Sequence, residues 1–109
     1  MVDIVKNNLD GIAEACKKYR VKELYLFGSA TQEKDFNAQS DIDFLYSIDI
    51  DNFTGWDSDK YDYIDNIIDL EKALTNLLNR KIDLVPDMII SNKYFKKSIE
   101  VSKQIVYAA

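Results

Sequence analysis

The sequence predicts an α/β (α+β) domain, and three observations carry that reading. Short apolar runs at 23–27, 41–47 and 81–85 have the length and composition of strands. Two longer stretches, 3–19 and 57–79, repeat their apolar residues at helical steps. Strands separated by helices suit one small sheet with helices packed on it.

The elements follow in order. Val5, Leu9, Ile12, Cys16 and Tyr19 step by four and three, so residues 3–19 read as one amphipathic helix. Glu23–Phe27 is apolar nearly throughout and reads as a strand buried on both faces. Ser29–Glu33 opens a short helix, followed by a polar loop through Ser40. Asp41–Ser47 is the second strand. Asp49–Trp56 is acidic and aromatic and has no clear period. Asp57 or Ser58 caps a helix to Asn79, with Ile64, Ile67, Ile68, Leu74, Leu77 and Leu78 expected inward. Lys81–Val85 is the third strand, stopped by Pro86. Ser91 or Asn92 caps a last helix to about Lys103, and Gln104–Tyr107 forms a short apolar end.

A chain of 109 residues bounds one domain, taken as 1–109. An apolar fraction of 47% fills one modest core. With one Pro and three Gly, nothing marks a linker or a disordered stretch. No apolar run is long enough to span a membrane, and no signal-peptide pattern follows Met1. Cys16 has no second cysteine to pair with, which suits a reducing compartment, and the expected location is the cytoplasm. In its helical series Cys16 reads as a buried structural thiol. The absence of His excludes His-based acid–base catalysis and His-ligated zinc.

The net charge of −5 is unevenly spread. Residues 41–71 carry ten acids against one base, whereas 72–109 carry three against seven. An acidic middle argues against a nucleic-acid track, which must be basic. It suits a site loaded with metal ions or the docking of a basic protein partner.

The most informative motif is Gly28-Ser29, then eleven residues, then Asp41-Ile42-Asp43. An apolar strand runs into a Gly-Ser turn, and a second strand starts with two carboxylates one residue apart. Strand side chains alternate, so Asp41 and Asp43 share a face, with Cα atoms about 6.5–7 Å apart. Carboxylates so placed suit a hard divalent cation, which binds a few carboxylates plus phosphate oxygens. A Gly-Ser turn presents backbone N–H groups and a hydroxyl to a phosphate. Each piece alone has a plainer reading. An Asp-x-Asp is common on surfaces, a Gly-Ser is an ordinary turn, and Asp83 can be the polar side of an edge strand. In this order, each beside an apolar strand, they point to phosphate transfer. Asp49 and Asp51 lack strand context and read as solvated.

On these residues the chain resembles the DNA polymerase beta-like nucleotidyltransferase superfamily, over roughly Val21 to Tyr107. Its length is similar to that of the minimal, MNT-type branch, which includes antitoxins paired with HEPN-domain toxins. The resemblance implies a small mixed sheet flanked by helices. It implies a third acidic residue on a later strand, supplied here by Asp83 in Lys81-Ile82-Asp83-Leu84-Val85. It further implies Mg²⁺, two ions in the usual arrangement, held by Asp41, Asp43 and Asp83. Asp83 would also help to activate the acceptor hydroxyl, and Gly28 and Ser29 would hold the β- and γ-phosphates. The expected reaction is transfer of AMP from ATP to a hydroxyl, with a HEPN-type protein as acceptor.

Two departures stand out. The Ser-to-Asp spacing is one residue longer than usual. Where many relatives carry Ala-Arg-Gly, this chain has Thr31-Gln32-Glu33, so triphosphate binding is either weaker or draws on Lys34, Arg80 or Lys81, of which Lys34 reads rather as a solvated loop residue. Trp56, in the 49–59 extension, either stacks on a base, docks a partner or packs on its own core. Two alternatives stay open at this level. One is a catalytically weak binding-only module. The other is a small-molecule nucleotidyltransferase working with a separate helical subunit. The oligomeric state stays open as well.

Overall fold

In the computed structural model, which describes residues 1–48, 56–87, 97, 100 and 102–109, seven elements surround one sheet. They are α1 (Asp3–Lys6), α2 (Leu9–Lys18), β1 (Val21–Phe27), β2 (Ile42–Ile48), α3 (Trp56–Leu78), β3 (Ile82–Pro86) and β4 (Gln104–Ala108). Short 3₁₀ turns at Gly28–Thr31 and Glu33–Asp35 follow β1. The strand order is β3-β2-β1-β4. β1 runs antiparallel to both β2 and β4, and β2 runs parallel to β3, so the sheet is mixed as the resemblance implied.

Side-chain alternation divides the sheet into two faces. Leu24, Leu26, Ile42, Phe44, Tyr46 and Ile82 join Ile12 and Cys16 of α2 and Leu70, Leu74 and Leu78 of α3 in the main core. The opposite face carries a smaller cluster of Phe27 and Leu45, flanked by Tyr25 and Val85. Asp43 and Asp83 alternate onto that second face. β1 is buried on its core side, but on the second face only Phe27 is buried while Glu23 and Tyr25 are half-buried, so the expected burial on both faces holds only at the end of the strand. A Cβ at Gly11 would lie 2.9 Å from Leu77 Cδ1, so the missing side chain lets α2 and α3 close together. Asn66 Nδ2 of α3 donates to the Tyr19 carbonyl at 2.6 Å and so satisfies the end of α2.

Several sequence expectations change. The first helix is two helices, because Asn7 and Asn8 interrupt it. Asn8 Nδ2 donates to the Ile4 carbonyl at 2.6 Å, a local bond that competes with the helical ladder. Ile64 and Ile68, expected inward, are 54% and 43% exposed. The buried stripe runs Ile67, Leu70, Leu74, Leu78, and Ile64 and Ile68 sit about a quarter to a third of a turn away from it. Leu70 is fully buried and belongs in the inward set. Gln104–Tyr107 is the body of a fourth strand, paired as Leu24 with Tyr107 and Tyr25 with Ile105. Five residues are too few for periodicity to separate strand from coil. Most of the last expected helix, the 49–55 stretch and the side chain of Trp56 lie outside the described residues. No helix among the described residues is long and apolar enough to cross a membrane.

The core gives two checks. Leu74→Ala is expected to cost about 2–5 kcal/mol, while Ile64→Ala costs below about 0.5 kcal/mol. Urea titration of both variants tests the reassigned helix face, and equal losses would return Ile64 to the core. Cys16 is fully buried, and desolvation pushes its thiol up to about 12. It should resist a thiol-specific reagent at pH 8 in the native protein and react on unfolding.

Candidate active site

Strand register assembles the site. Phe27, the last residue of β1, pairs with Asp43 on β2. Asp43 in turn pairs with Asp83 on β3. The turn after Phe27 and the two carboxylates therefore meet at one end of the sheet. Paired positions on neighbouring strands lie about 4.8 Å apart, so Asp43 and Asp83 are side by side on the same face.

Gly28 makes the closest approach. Its φ of +74° lies in the left-handed region. A Cβ built there would stand 2.5 Å from Asp43 Oδ2. Glycine is thus required twice, for its backbone conformation and because the Asp43 carboxylate occupies the side-chain space. The turn is held by Thr31 Oγ1, which donates to the Gly28 carbonyl at 2.8 Å. It is braced from the chain start, where Val2 N donates to the Ala30 carbonyl at 2.9 Å and Asp3 N to Glu33 Oε1 at 2.8 Å. Sequence reasoning missed this brace. Its one signal was Val2, an apolar residue one turn ahead of Val5, and Val2 is buried.

The electrostatics centre on Asp43. Burial first, then the charges of Asp83 and Asp41, push its carboxyl from 3.8 up to about 6. Asp41 lies just ahead of β2 rather than in it, and its Oδ2 stands 3.8 Å from Lys81 Nζ. Both groups are well exposed, so this ion pair contributes little. Asp83 is exposed. Three carboxylates fit a hard divalent cation in donor chemistry, and the strained Asp43 is the group such a cation would relieve. As they stand, their oxygens do not converge. Among the described residues no three His, Cys, Asp or Glu side chains form an ion-holding group.

The basic residues also find their places. Arg80 Nη2 donates to the Asn37 carbonyl at 2.7 Å and to the Ser40 carbonyl, and its guanidinium stacks on Phe36 at 4.3 Å. It braces the loop leading to Asp41. Lys81 is paired with Asp41, and Lys34 is exposed. A cavity of about 160 Å³ between Tyr46, Ser47, Tyr63 and Pro86 lies toward the far ends of β2 and β3, away from Asp43 and Asp83.

The nucleotidyltransferase domain model matches residues 9–106. A relative from Methanocaldococcus jannaschii named "Putative protein adenylyltransferase MJ1217" is 38% identical over 86 residues, covering 77% of this chain and 74% of the relative. A second from the same organism, "Putative protein adenylyltransferase MJ1379", is 37% identical over 76% of this chain and 74% of its own length. Among solved structures, a toxin–antitoxin with AMP-PNP superposes with a TM-score of 0.62 at 20% identity, over 94% of this chain and 74% of the other. A tri-AMPylated Shewanella oneidensis HEPN toxin in complex with MNT antitoxin gives 0.60 at 16% identity, over 96% and 73%. At those identities the structural likeness speaks for the fold. The sequence match runs from the second helix to the last strand and takes in the turn and all three acids, and by it the chain belongs to the nucleotidyltransferase domain family, a family of enzymes.

Proposed function

We propose that the chain is a Mg²⁺-dependent protein adenylyltransferase that moves AMP from ATP to a hydroxyl of a HEPN-type partner, in an antitoxin role. The observation that carries the reading is the contact of the Gly28 backbone with the Asp43 carboxylate, with Asp83 paired alongside. A phosphate cradle and an acidic pair share one spot, and phosphate transfer is the chemistry that uses both. The names of the sequence relatives support the reaction class. The HEPN toxin described with an MNT antitoxin supports the kind of acceptor.

In this reading the Gly28 and Ser29 N–H groups and the Ser29 hydroxyl hold the β- and γ-phosphates. Asp41, Asp43 and Asp83 hold Mg²⁺, which when bound would neutralise charge on the attacking and leaving oxygens. Asp83, the exposed member, accepts the proton of the acceptor hydroxyl as that oxygen bonds to the α-phosphorus and pyrophosphate leaves. The partner closes the solvent side of the site and keeps water from competing.

Intact mass spectrometry of the chain co-expressed with a HEPN-type protein tests this. Wild type should add one AMP unit or several to the partner, and Asp41→Ala should add none. A partner of unchanged mass would favour a binding-only module, a reading supported by the Lys81–Asp41 pair and by the engaged guanidinium of Arg80. A smaller effect is expected at the turn. Ser29→Ala should weaken ATP binding by about tenfold at most, since the backbone donors remain. Calorimetric titration of ATP with Mg²⁺ measures this, and unchanged affinity would remove the hydroxyl from the site.

A further inference from the structure

The residue just ahead of β4 is basic and lies at the end of the sheet that holds the site. Leu26 pairs with Gln104, so the same antiparallel register sets Lys103 beside Phe27, the residue before Gly28. Asp43 stands on the other side of Phe27, and Asp83 stands beyond Asp43. One row across the sheet therefore reads Asp83, Asp43, Phe27, Lys103, with neighbours about 4.8 Å apart.

Two contacts place this segment. Lys103 Nζ lies 4.2 Å from the centre of the Tyr25 ring. Tyr25 flanks the Phe27–Leu45 cluster, on the face that also carries Asp43 and Asp83. The ring is itself held, since the Tyr25 hydroxyl donates to Glu23 Oε2 at 2.5 Å. Gln104 alternates to the opposite face and lies against the turn, with Nε2 3.5 Å from the Thr31 carbonyl. The start of β4 thus abuts the Gly28–Thr31 turn and lays its cation on the face of the carboxylates.

Glu100 is the partner of this cation, with Oε1 3.1 Å from Nζ. The Lys103 side chain is 20% exposed and that of Glu100 49%, so a shielded cation is held by a carboxylate that solvent reaches. Such a pair contributes little, whereas an ammonium on a phosphate oxygen makes a stronger, charge-assisted bond. Arg80 and Lys81 are engaged elsewhere, Arg80 by the Asn37 and Ser40 carbonyls and Lys81 beside Asp41.

We propose that Lys103 is this chain's cation for a nucleoside triphosphate: its ammonium exchanges Glu100 for the β- or γ-phosphate on the Gly28–Ser29 turn. This rests on the nucleotidyl-transfer reading of the same site. Lys103 is one strand spacing from Phe27, and Gly28 follows directly, so a flexible four-carbon stem spans the distance to a phosphate on the turn. Phe27 separates Lys103 from Asp43, so the cation serves the distal phosphates and does not compete with a metal ion for the carboxylates. A charge so placed favours a triphosphate over a monophosphate, which has no distal phosphate to offer.

Calorimetric titration of the full chain with ATP and with AMP, each in the presence of Mg²⁺, tests the proposal. Lys103→Met keeps an apolar stem over Tyr25 and removes the charge. It should weaken ATP binding by about tenfold or more and leave AMP binding close to wild type. Lys103→Arg, which keeps the charge, should bind ATP nearly as wild type does. Lys72→Met, which removes an exposed charge from α3, should leave ATP binding unchanged. Glu100→Gln releases the ammonium, so it should tighten ATP binding by about threefold alone and not at all alongside Lys103→Met. Unchanged ATP affinity in Lys103→Met, equal losses for ATP and AMP, or a gain from Glu100→Gln that persists without Lys103 would each overturn it. Each of these outcomes is read against a wild type that binds ATP, whereas a wild type that binds none would remove the catalytic reading as well.

Discussion

Asp43→Asn is expected to abolish nucleotidyl transfer while making the protein more stable at neutral pH. The two effects have one cause. Burial and the neighbouring Asp83 and Asp41 push the Asp43 carboxyl from 3.8 up to about 6. The fold therefore holds this proton more tightly than the unfolded chain does. Below pH 3.8 both states are protonated and the fold keeps the full contribution of the neutral acid. As the pH climbs through about 6, Asp43 ionises against its neighbours and that stability is lost. At pH 8 the loss is about 1–2 kcal/mol after solvent screening. Asn keeps the shape and cannot ionise, so the variant should recover that amount at pH 8 and show no difference at pH 3. Transfer should fall by about a hundredfold or more, because an electrostatic group at the reacting phosphate is gone. Urea titrations at both pH values and a transfer assay measure the two halves. Mg²⁺ should raise the stability of wild type and leave the variant unmoved. A variant less stable than wild type at pH 8 would mean that Asp43 is not under charge strain. Retained transfer would take Asp43 out of the chemistry.

Gly28→Ala is the second large effect, and its reach exceeds its size. The added Cβ meets Asp43 Oδ2 at 2.5 Å, and the residue must hold a φ of +74°. The left-handed conformation costs an L-residue about 1–2 kcal/mol. The clash itself is cheaper in stability, since a carboxylate is the free end of a side chain and can rotate away. That rotation is the functional damage, because it turns Asp43 out of line with Asp83. Nucleotide binding in the presence of Mg²⁺ should fall by about a hundredfold, well beyond the effect of Ser29→Ala. A double-mutant cycle separates the two causes. In an Asp43→Ala background the clash is absent, so Gly28→Ala should cost only the backbone term there. Identical costs in both backgrounds would show that the contact with Asp43 plays no part.

The sequence by itself determined the pieces of this protein and their order. Short apolar runs placed three strands, helical steps placed the buried face of α2 and most of that of α3, and the Gly-Ser turn and the Asp-x-Asp were found from their strand context. These are local properties, set by side-chain periods of two and of three to four residues. It failed where local signals conflict or fall silent. Asn8 bonds Ile4 and splits a helix that the apolar pattern runs through, and Ile64 and Ile68 fit a helical period but miss the buried stripe. Only the tertiary structure decided that β4 lies beside β1, that Arg80 braces the 36–40 loop, and that Gly28 lies against Asp43. The reason is that strand neighbours and register are fixed by backbone hydrogen bonds between segments far apart in the chain. Those bonds use the same N–H and C=O groups in every residue, so they leave no mark on side-chain identity until the chain folds.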